Sequence, residues 1–403
     1  MSAYAELLRR LYAARRFGVV LGLSRIRALL DTLGAPDRQL GRVVHVAGTN
    51  GKGSTVAMIS ALARAAGQRV AAYTSPHLSS LRERIVIDGA PIGEAELVRA
   101  ADRVRAAGGD ELTFFEQVTA MAMVAIAEAA VDITVLEVGL GGRLDATNVV
   151  DADVAVVTGI AFDHEAILGK TIDAIAAEKA GIFKRGQFVV IGTSGDPSAT
   201  ALLEEAAEQA GALSIVVAGN TARIPLLSLP GEHQLRNAAC AISAIRALGL
   251  PVVGSALTTV VHPGRYERVG NVILDGAHNP DGARALAAQL EHEPGEVALV
   301  IAVSADKDAH SIVVPLLPRA AHVVATRYQQ DRALAPEALA EVVRSLGVPV
   351  DTAPDLRAAL EQAEGADVIV VCGSLFLVGE ARVLLLGAPA DPFVVTDPAP
   401  STG

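Results

Sequence analysis

Short apolar runs alternate with longer stretches whose apolar residues recur at helical spacing, and this rhythm holds through most of the chain. The short runs predict strands at residues 43–47, 69–73, 133–138, 154–160 and 188–191. The longer stretches predict a helix that follows a glycine-rich turn and reaches Ala66, and another over 112–130. A second series of strands is predicted at 271–275, 297–303, 322–326 and 368–372, with a helix over 236–248 before it. Strands this apolar, separated by helices, belong to parallel sheets covered on both faces. Such sheets carry ligands at the carboxyl ends of their strands. None of the runs approaches the length of a membrane span.

Between the two series, residues 249–267 include Pro251, Gly254, Pro263 and Gly264 and read as a connector. The expected division is a first domain over 1–260 and a smaller second one over 261–390. A flexible tail is expected over 391–403, because residues 389–403 are rich in Pro, Asp, Ser and Thr.

Composition sharpens the picture in three places. Hydrophobic residues make up 51% and charged residues 20% of the 403, enough apolar material for two cores and unlike a disordered chain. The net charge of −11 argues against non-specific nucleic-acid binding, so an anionic ligand would need local cations and backbone N–H groups. The two cysteines, Cys240 and Cys372, lie far apart in apolar surroundings. They suggest neither a disulfide framework nor a zinc site, and point to a reducing compartment. The Arg-rich opening, residues 1–18, could imitate a transit peptide, yet it carries Glu6 and lacks the apolar core of a signal peptide. A cytoplasmic monomer with no membrane or nucleic-acid partner is expected.

The sharpest local signal is His45-Val-Ala-Gly-Thr-Asn-Gly-Lys-Gly-Ser-Thr55. A strand delivers the chain into Gly48, Thr49, Asn50, Gly51, Lys52 and Gly53, and a helix is expected to start at Ser54 or Thr55. Glycines let backbone N–H groups approach phosphate oxygens, a helix N-terminus favours negative charge, and Lys52 can neutralise the terminal phosphates. The alternative is a tight strand–helix turn with a surface lysine. The loop departs from the common form, because Gly53 separates the lysine from the hydroxyl residues.

With that extra glycine the loop resembles the nucleotide loop of the Mur ligase superfamily, in its folylpolyglutamate synthase/dihydrofolate synthase branch. Other segments resemble the same branch in the same order. They are Thr74-Ser-Pro-His-Leu78 with Arg82-Glu-Arg-Ile85, Leu112-Thr-Phe-Phe-Glu116, and Leu136-Glu-Val-Gly-Leu-Gly-Gly-Arg-Leu-Asp-Ala-Thr-Asn148. Asp163-His164 leading to Glu178-Lys-Ala-Gly-Ile182 follows, then Gly231-Glu-His-Gln234 with Asn237, Pro263-Gly-Arg265 and Asp275-Gly-Ala-His-Asn-Pro280. The similarity implies an α/β fold: an N-terminal P-loop-type ATPase domain with a parallel-sheet core, plus a smaller C-terminal Rossmann-like domain.

The resemblance also implies ATP and Mg²⁺ as cofactors, with L-glutamate and dihydropteroate or a reduced folate as substrates. Ser54, Ser75, Glu137 and His164 would gather at Mg²⁺, with Ser54 or Thr55 beside the phosphates. Asn237 and Arg265 would hold adenine and phosphates, Asp275 the ribose, and His278 the γ-phosphate. Lys179 matches a lysine that is carbamylated in the branch. Lys52, Lys179 and His278 are therefore the expected catalytic residues. Plainer readings stand beside each. Glu137 could cap a turn or pair with Arg143, and His164 could be a turn histidine. Lys179 could pair with Asp173 or Glu178, and Asp275 could cap a helix.

With aromatics at 3%, Phe114, Phe115 and Phe17 are candidate walls for a pterin slot, although adjacent helix residues face different ways and one of the pair could be core. His77, Arg82, Arg84 and Ser374 are candidates for the incoming glutamate. The reaction implied is acyl-phosphate ligation. Two rivals are a Mur-type ligase acting on a cell-wall precursor and a P-loop switch that ligates nothing. Residues 211–230 look short for the branch, so altered local strands are expected there.

Overall fold

The computed structural model describes residues 2–14, 22–222, 224 and 226–392. Phe17 and residues 393–403 lie outside the described residues. Strands β1 (Arg42–Ala47), β2 (Val70–Tyr73), β3 (Ile85–Ile87), β4 (Ala90–Pro91), β5 (Ile133–Glu137), β6 (Val154–Ile160), β7 (Phe188–Gly195) and β8 (Ser214–Ala218) form one sheet. Their spatial order is β4-β3-β2-β5-β1-β6-β7-β8. The sheet is parallel from β2 to β8, and only β3 and β4 run antiparallel to their neighbours. The second sheet contains β9 (Glu267–Val269), β10 (Val272–Leu274), β11 (Val297–Ile301), β12 (Ala320–Ala325), β13 (Asp351–Thr352) and β14 (Val368–Cys372), ordered β13-β12-β11-β14-β10-β9. It too is parallel, apart from β9 against β10.

The burial of the central strands explains their sequences. β5, β6, β11 and β14 are buried at every residue, so apolar side chains are needed on both faces. In the first sheet, Val44 and Val46 pack with the helices Lys52–Ala65 and Glu232–Ala247 on one face. Ala47, Ala155 and Val157 pack with the helices Ile172–Ala180 and Ala199–Ala210 on the other. The helix Phe114–Ala129 anchors a third cluster with the helix Ala3–Ala13.

Residues 211–230 carry β8, an edge strand whose Val216 and Val217 are exposed. β3, β4, β9 and β13 are short and are defined by their partners more than by their own pattern. Asp391 corrects the expectation of a flexible tail from that residue onward. It is buried and accepts hydrogen bonds from Tyr4, Tyr12, Ser80 and the backbone of Leu81.

Candidate active site between the two sheets

Both sheets point the carboxyl ends of their strands into one cavity of about 380 Å³. From the first sheet, β1 leads to the glycine loop, β2 to Ser75, β5 ends on Glu137, and β6 leads to Asp163 and His164. From the second, β10 leads to Asp275 and His278, β11 to Ser304 and Lys307, and β14 to Ser374.

The loop's helix starts at Lys52, earlier than the expected Ser54 or Thr55. Its N-cap is Gly51, which offers no side chain to the first turn. The N–H groups of Lys52, Gly53 and Ser54 therefore have no side-chain capping acceptor among the described residues, an arrangement that could seat an anion. Gly53 has a steric reason to be glycine: a Cβ there would lie 2.7 Å from His262 Nε2. The early start also turns Thr55 inward. It is fully buried and does not line the cavity, which corrects its expected place beside the phosphates. Thr49 lines the cavity, but its hydroxyl is used to join the loop to Ala161, donating to the carbonyl and accepting from the N–H.

Lys52 Nζ donates to the carbonyls of Gly48 and Thr49, and Lys179 Nζ donates to the same Gly48 carbonyl. Burial, with Lys52 nearby, pushes the Lys179 ammonium down to about 7. Its helix mates do not rescue it, since Glu178 pairs with Arg143 instead. That pairing also removes Arg143 as a partner for Glu137. The Glu137 carboxyl is raised by burial, an effect opposed by Lys52 and by the Ser75 N–H, which donates to Oε2 at 3.2 Å. No ion pair to Glu137 is found among the described residues. A buried carboxylate that has cations near it and none paired to it suits a hard cation carried on phosphates. Among the described residues, no group of three or more His, Cys, Asp or Glu forms a metal cage. Mg²⁺ does not require one, because it keeps waters and phosphate oxygens as ligands. Ser54, Ser75 and His164 line the same cavity as Glu137.

On the far wall, Asp275 is held by the N–H groups of Tyr266 and Ala277. It caps no helix, because Asn279 caps the helix Pro280–Leu290 through Gly282 N. His278 Nδ1 lies 2.8 Å from the Gly276 carbonyl, which can only accept, so the proton sits on Nδ1. Asn237 and Arg265 complete this side of the cavity. The two walls also touch directly. Asn50 and Asn279 exchange amide hydrogen bonds, Asn50 donates to Asp281, and Lys307 Nζ donates to Asp163 at 2.8 Å. Burial pushes the Asp163 carboxyl up, but His164, Lys307 and His278 outweigh it and hold it below the usual range.

Residues 46–223 match the profile of the Mur ligase middle domain, and 264–375 that of the Mur ligase glutamate ligase domain. The dihydrofolate synthase/folylpolyglutamate synthase of Mycobacterium tuberculosis is 38% identical, with 90% of this chain and 89% of the relative covered. The chain belongs to the folylpolyglutamate synthase/dihydrofolate synthase branch of the Mur ligases. A probable bifunctional folylpolyglutamate synthase/dihydropteroate synthase of Haloferax volcanii is 37% identical over 94% of this chain. There the chain spans only 50% of the relative's length. Among solved structures, Escherichia coli FolC in complex with DHPP and ADP superposes with a TM-score of 0.87 at 31% identity, covering 96% of this chain and 98% of that one. The Yersinia pestis bifunctional enzyme complexed with AMPPNP and Mn superposes with a TM-score of 0.85 at 32% identity, with the same coverage.

In this Mur ligase, four expected substrate contacts, Phe114, Arg82, His77 and Arg84, lie away from the cavity. Phe114 is fully buried, stacked on Tyr12, while its neighbour Phe115 lines the cavity beside Gly139. Arg82 Nε donates to the Ile92 carbonyl, which holds it at the β3–β4 hairpin. His77 Nδ1 accepts from Arg84 Nε, and Arg84 is fully buried over the Phe114 ring. Ser374 lines the cavity and caps the helix Leu375–Leu386. Sequence reasoning missed Lys307, Ser304 and Arg332, which also line it. Lys307 follows the end of β11 just as His278 follows β10, and that placement was the available signal.

Proposed function

We propose that this chain joins L-glutamate to dihydropteroate, and to reduced folates that already carry glutamate, with ATP as the activating substrate. The observation that carries the reading is the meeting of Lys52 and the uncapped helix from one sheet with His278 and Arg265 from the other around one cavity.

The triphosphate lies along the first turn of the helix Lys52–Ala65, with Lys52 leaving its loop carbonyls for the phosphate oxygens. Asn237, Arg265 and Asp275 hold the nucleoside end. With Nδ1 committed to Gly276, His278 donates to a phosphate only after Nε2 gains a proton, which the phosphate charge favours. A divalent cation, held by Glu137 with Ser54, Ser75 and His164 around it, would neutralise charge on the transferred phosphoryl group.

The substrate carboxylate attacks the γ-phosphorus, the bond to ADP breaks, and an acyl phosphate forms. The glutamate amine then attacks the acyl carbon, phosphate leaves, and an amide remains. Phe115 walls the pterin side. Ser304, Lys307, Arg332 and Ser374 line the cavity and offer two cations and two hydroxyls for a dicarboxylate amino acid, whereas Arg82, Arg84 and His77 do not line it. Burial, with Lys52 nearby, favours the uncharged amine of Lys179. The free amine attacks CO₂, loses a proton and becomes a carbamate, which sets anionic oxygens beside the phosphate loop.

The test offers dihydropteroate and tetrahydrofolate separately, with ATP and labelled glutamate, to the chain and to Lys52→Ala. The reading expects phosphate release only when acid and amine are both present, an amide product, and a loss of about a hundredfold or more in Lys52→Ala. Phosphate release indifferent to both substrates would overturn it in favour of a nucleotide switch.

A further inference from the structure

We propose that Asp391 is a positioning residue for the cation end of the cavity: it fixes the segment 74–84, whose Ser75 N–H donates to Glu137. This rests on the functional reading above. The segment is closed at its base by Thr74 N–H donating to the Arg84 carbonyl. Its tip has no sheet partner among the described residues, and two carboxylates satisfy its backbone instead. Glu83 accepts from the N–H groups of Leu78, Ser79 and Ser80. Leu81 N–H is taken by Asp391 at 2.8 Å.

Asp391 is built into this place from several sides. It also accepts from Ser80 Oγ at 3.0 Å, Tyr4 Oη at 2.7 Å and Tyr12 Oη at 3.3 Å. Its own N–H donates to the Ser79 carbonyl, and Ser79 Oγ donates to the Pro389 carbonyl. The helix Leu375–Leu386 that precedes it presses on the same tip, where a Cβ on Gly379 would lie 2.2 Å from the Leu78 oxygen. That helix begins at Ser374 in the cavity, so one stretch of chain touches both the glutamate side and the loop tip.

The loop passes the constraint inward. Ser75 N–H donates to Glu137, and Arg84 donates to His77 while covering Phe114, next to the cavity-lining Phe115. Without the Asp391 carboxylate, four buried or half-buried donors lose their acceptor at once, and no other acceptor for the Leu81 N–H is found among the described residues.

The test compares wild type with Asp391→Ala, Asp391→Asn and Asp391→Glu, each first checked for native circular dichroism. If Asp391→Ala does not fold, the near-isosteric Asp391→Asn supplies the measurement. Amide exchange at Leu81 is expected to quicken by about tenfold or more in the Ala variant, and by less in the Asn variant, whose one amide oxygen must be shared among the four donors. The KM for MgATP is expected to rise by about tenfold with the KM for dihydropteroate changed less than about twofold. Asp391→Glu should restore part of both. Unchanged Leu81 protection overturns the proposal, and so does an equal rise in both KM values, which would mean general loosening. The exchange measurement needs no activity, so a wild-type chain that forms no folate product refutes the functional reading and leaves Asp391 to be judged on Leu81.

Discussion

Lys52 and Lys179 reach the same oxygen: each Nζ donates to the Gly48 carbonyl at 3.0 Å. They come from helices on opposite faces of the first sheet, so the meeting is made by the sheet's carboxyl edge and by no local turn. Two ammonium groups on one buried carbonyl repel each other, and the more buried one yields its proton more readily.

Lys179 therefore carries a pH signature. Its folded value of about 7 lies below its ordinary 10.5. Between these values the unfolded chain keeps a proton that the native state has released, so stability rises with pH across that window. Lys179→Met should flatten this rise, as judged by urea midpoints at pH 7 and pH 9, and should abolish ligation. Carbon-13-labelled bicarbonate should give a carbamate resonance in the wild type that is absent from Lys179→Met. A wild-type spectrum without it would remove the carbamate and leave an uncharged lysine.

Lys307 and Asp163 join the two walls through an ion pair whose side chains are only 17% and 11% exposed. Screening by solvent is weak there, and removing one partner strands the other. Lys307→Met and Asp163→Asn should each lower kcat and raise the KM for glutamate. The double variant should be less impaired than the product of the two, with a coupling of about 1–3 kcal/mol. Strict additivity would mean that the pair does not act as a unit during turnover.

How much of this could be read from the chain varies with the kind of interaction. β1, β5, β6 and β14 were legible because burial on both faces forces a largely apolar run. β13, two residues long, takes its identity from β12 and left no periodicity to detect. The phosphate loop was legible because glycine and lysine spacing is local. Lys307 and Asp391 were not, because their partners lie in the first half of the chain, and Arg332 was not, because its contact with Asp306 joins two loops of the second domain. Composition also misled at Asp391, where a Pro-rich segment suggested looseness and the carboxylate is instead held by distant tyrosines.

Buried neutral histidines should make the fold sensitive to acid. Burial, with Lys184 nearby, holds His45 at about 3, where its Nε2 meets Thr147 Oγ1. Burial, with Arg265 nearby, holds His262 at about 3 as well. Each ordinary value is 6.5, so the unfolded chain takes up protons that the native state refuses as pH falls from 6.5 toward 3. Stability should drop across that window, with a slope approaching about 1.4 kcal/mol per pH unit for each histidine. The chain has no tryptophan, so urea unfolding is best followed by far-ultraviolet circular dichroism. His45→Gln should remove one proton's worth of the slope, and an unchanged slope would mean that His45 can be protonated in place.

Phe114 and Phe115 should separate stability from substrate binding. The helix Phe114–Ala129 begins at Thr113, whose side chain and that of Glu116 cap each other's backbone N–H, so the first turn is fixed in direction. Adjacent residues on a helix point about 100° apart, and the two rings go to different places. Phe114 is fully buried, stacked on Tyr12 at 5.9 Å with the Arg84 guanidinium 5.3 Å away. Phe115 lies against Gly139, where a Cβ would sit 2.4 Å from the ring, and faces the cavity. Phe114→Ala should cost about 3–5 kcal/mol of stability. With the fold intact, its KM for dihydropteroate should stay within about twofold. Phe115→Ala should keep most of the stability and raise that KM by about tenfold, leaving the KM for ATP unchanged. The opposite assignment, with Phe114 controlling KM, would place the pterin slot on the other side of the helix, under Arg84.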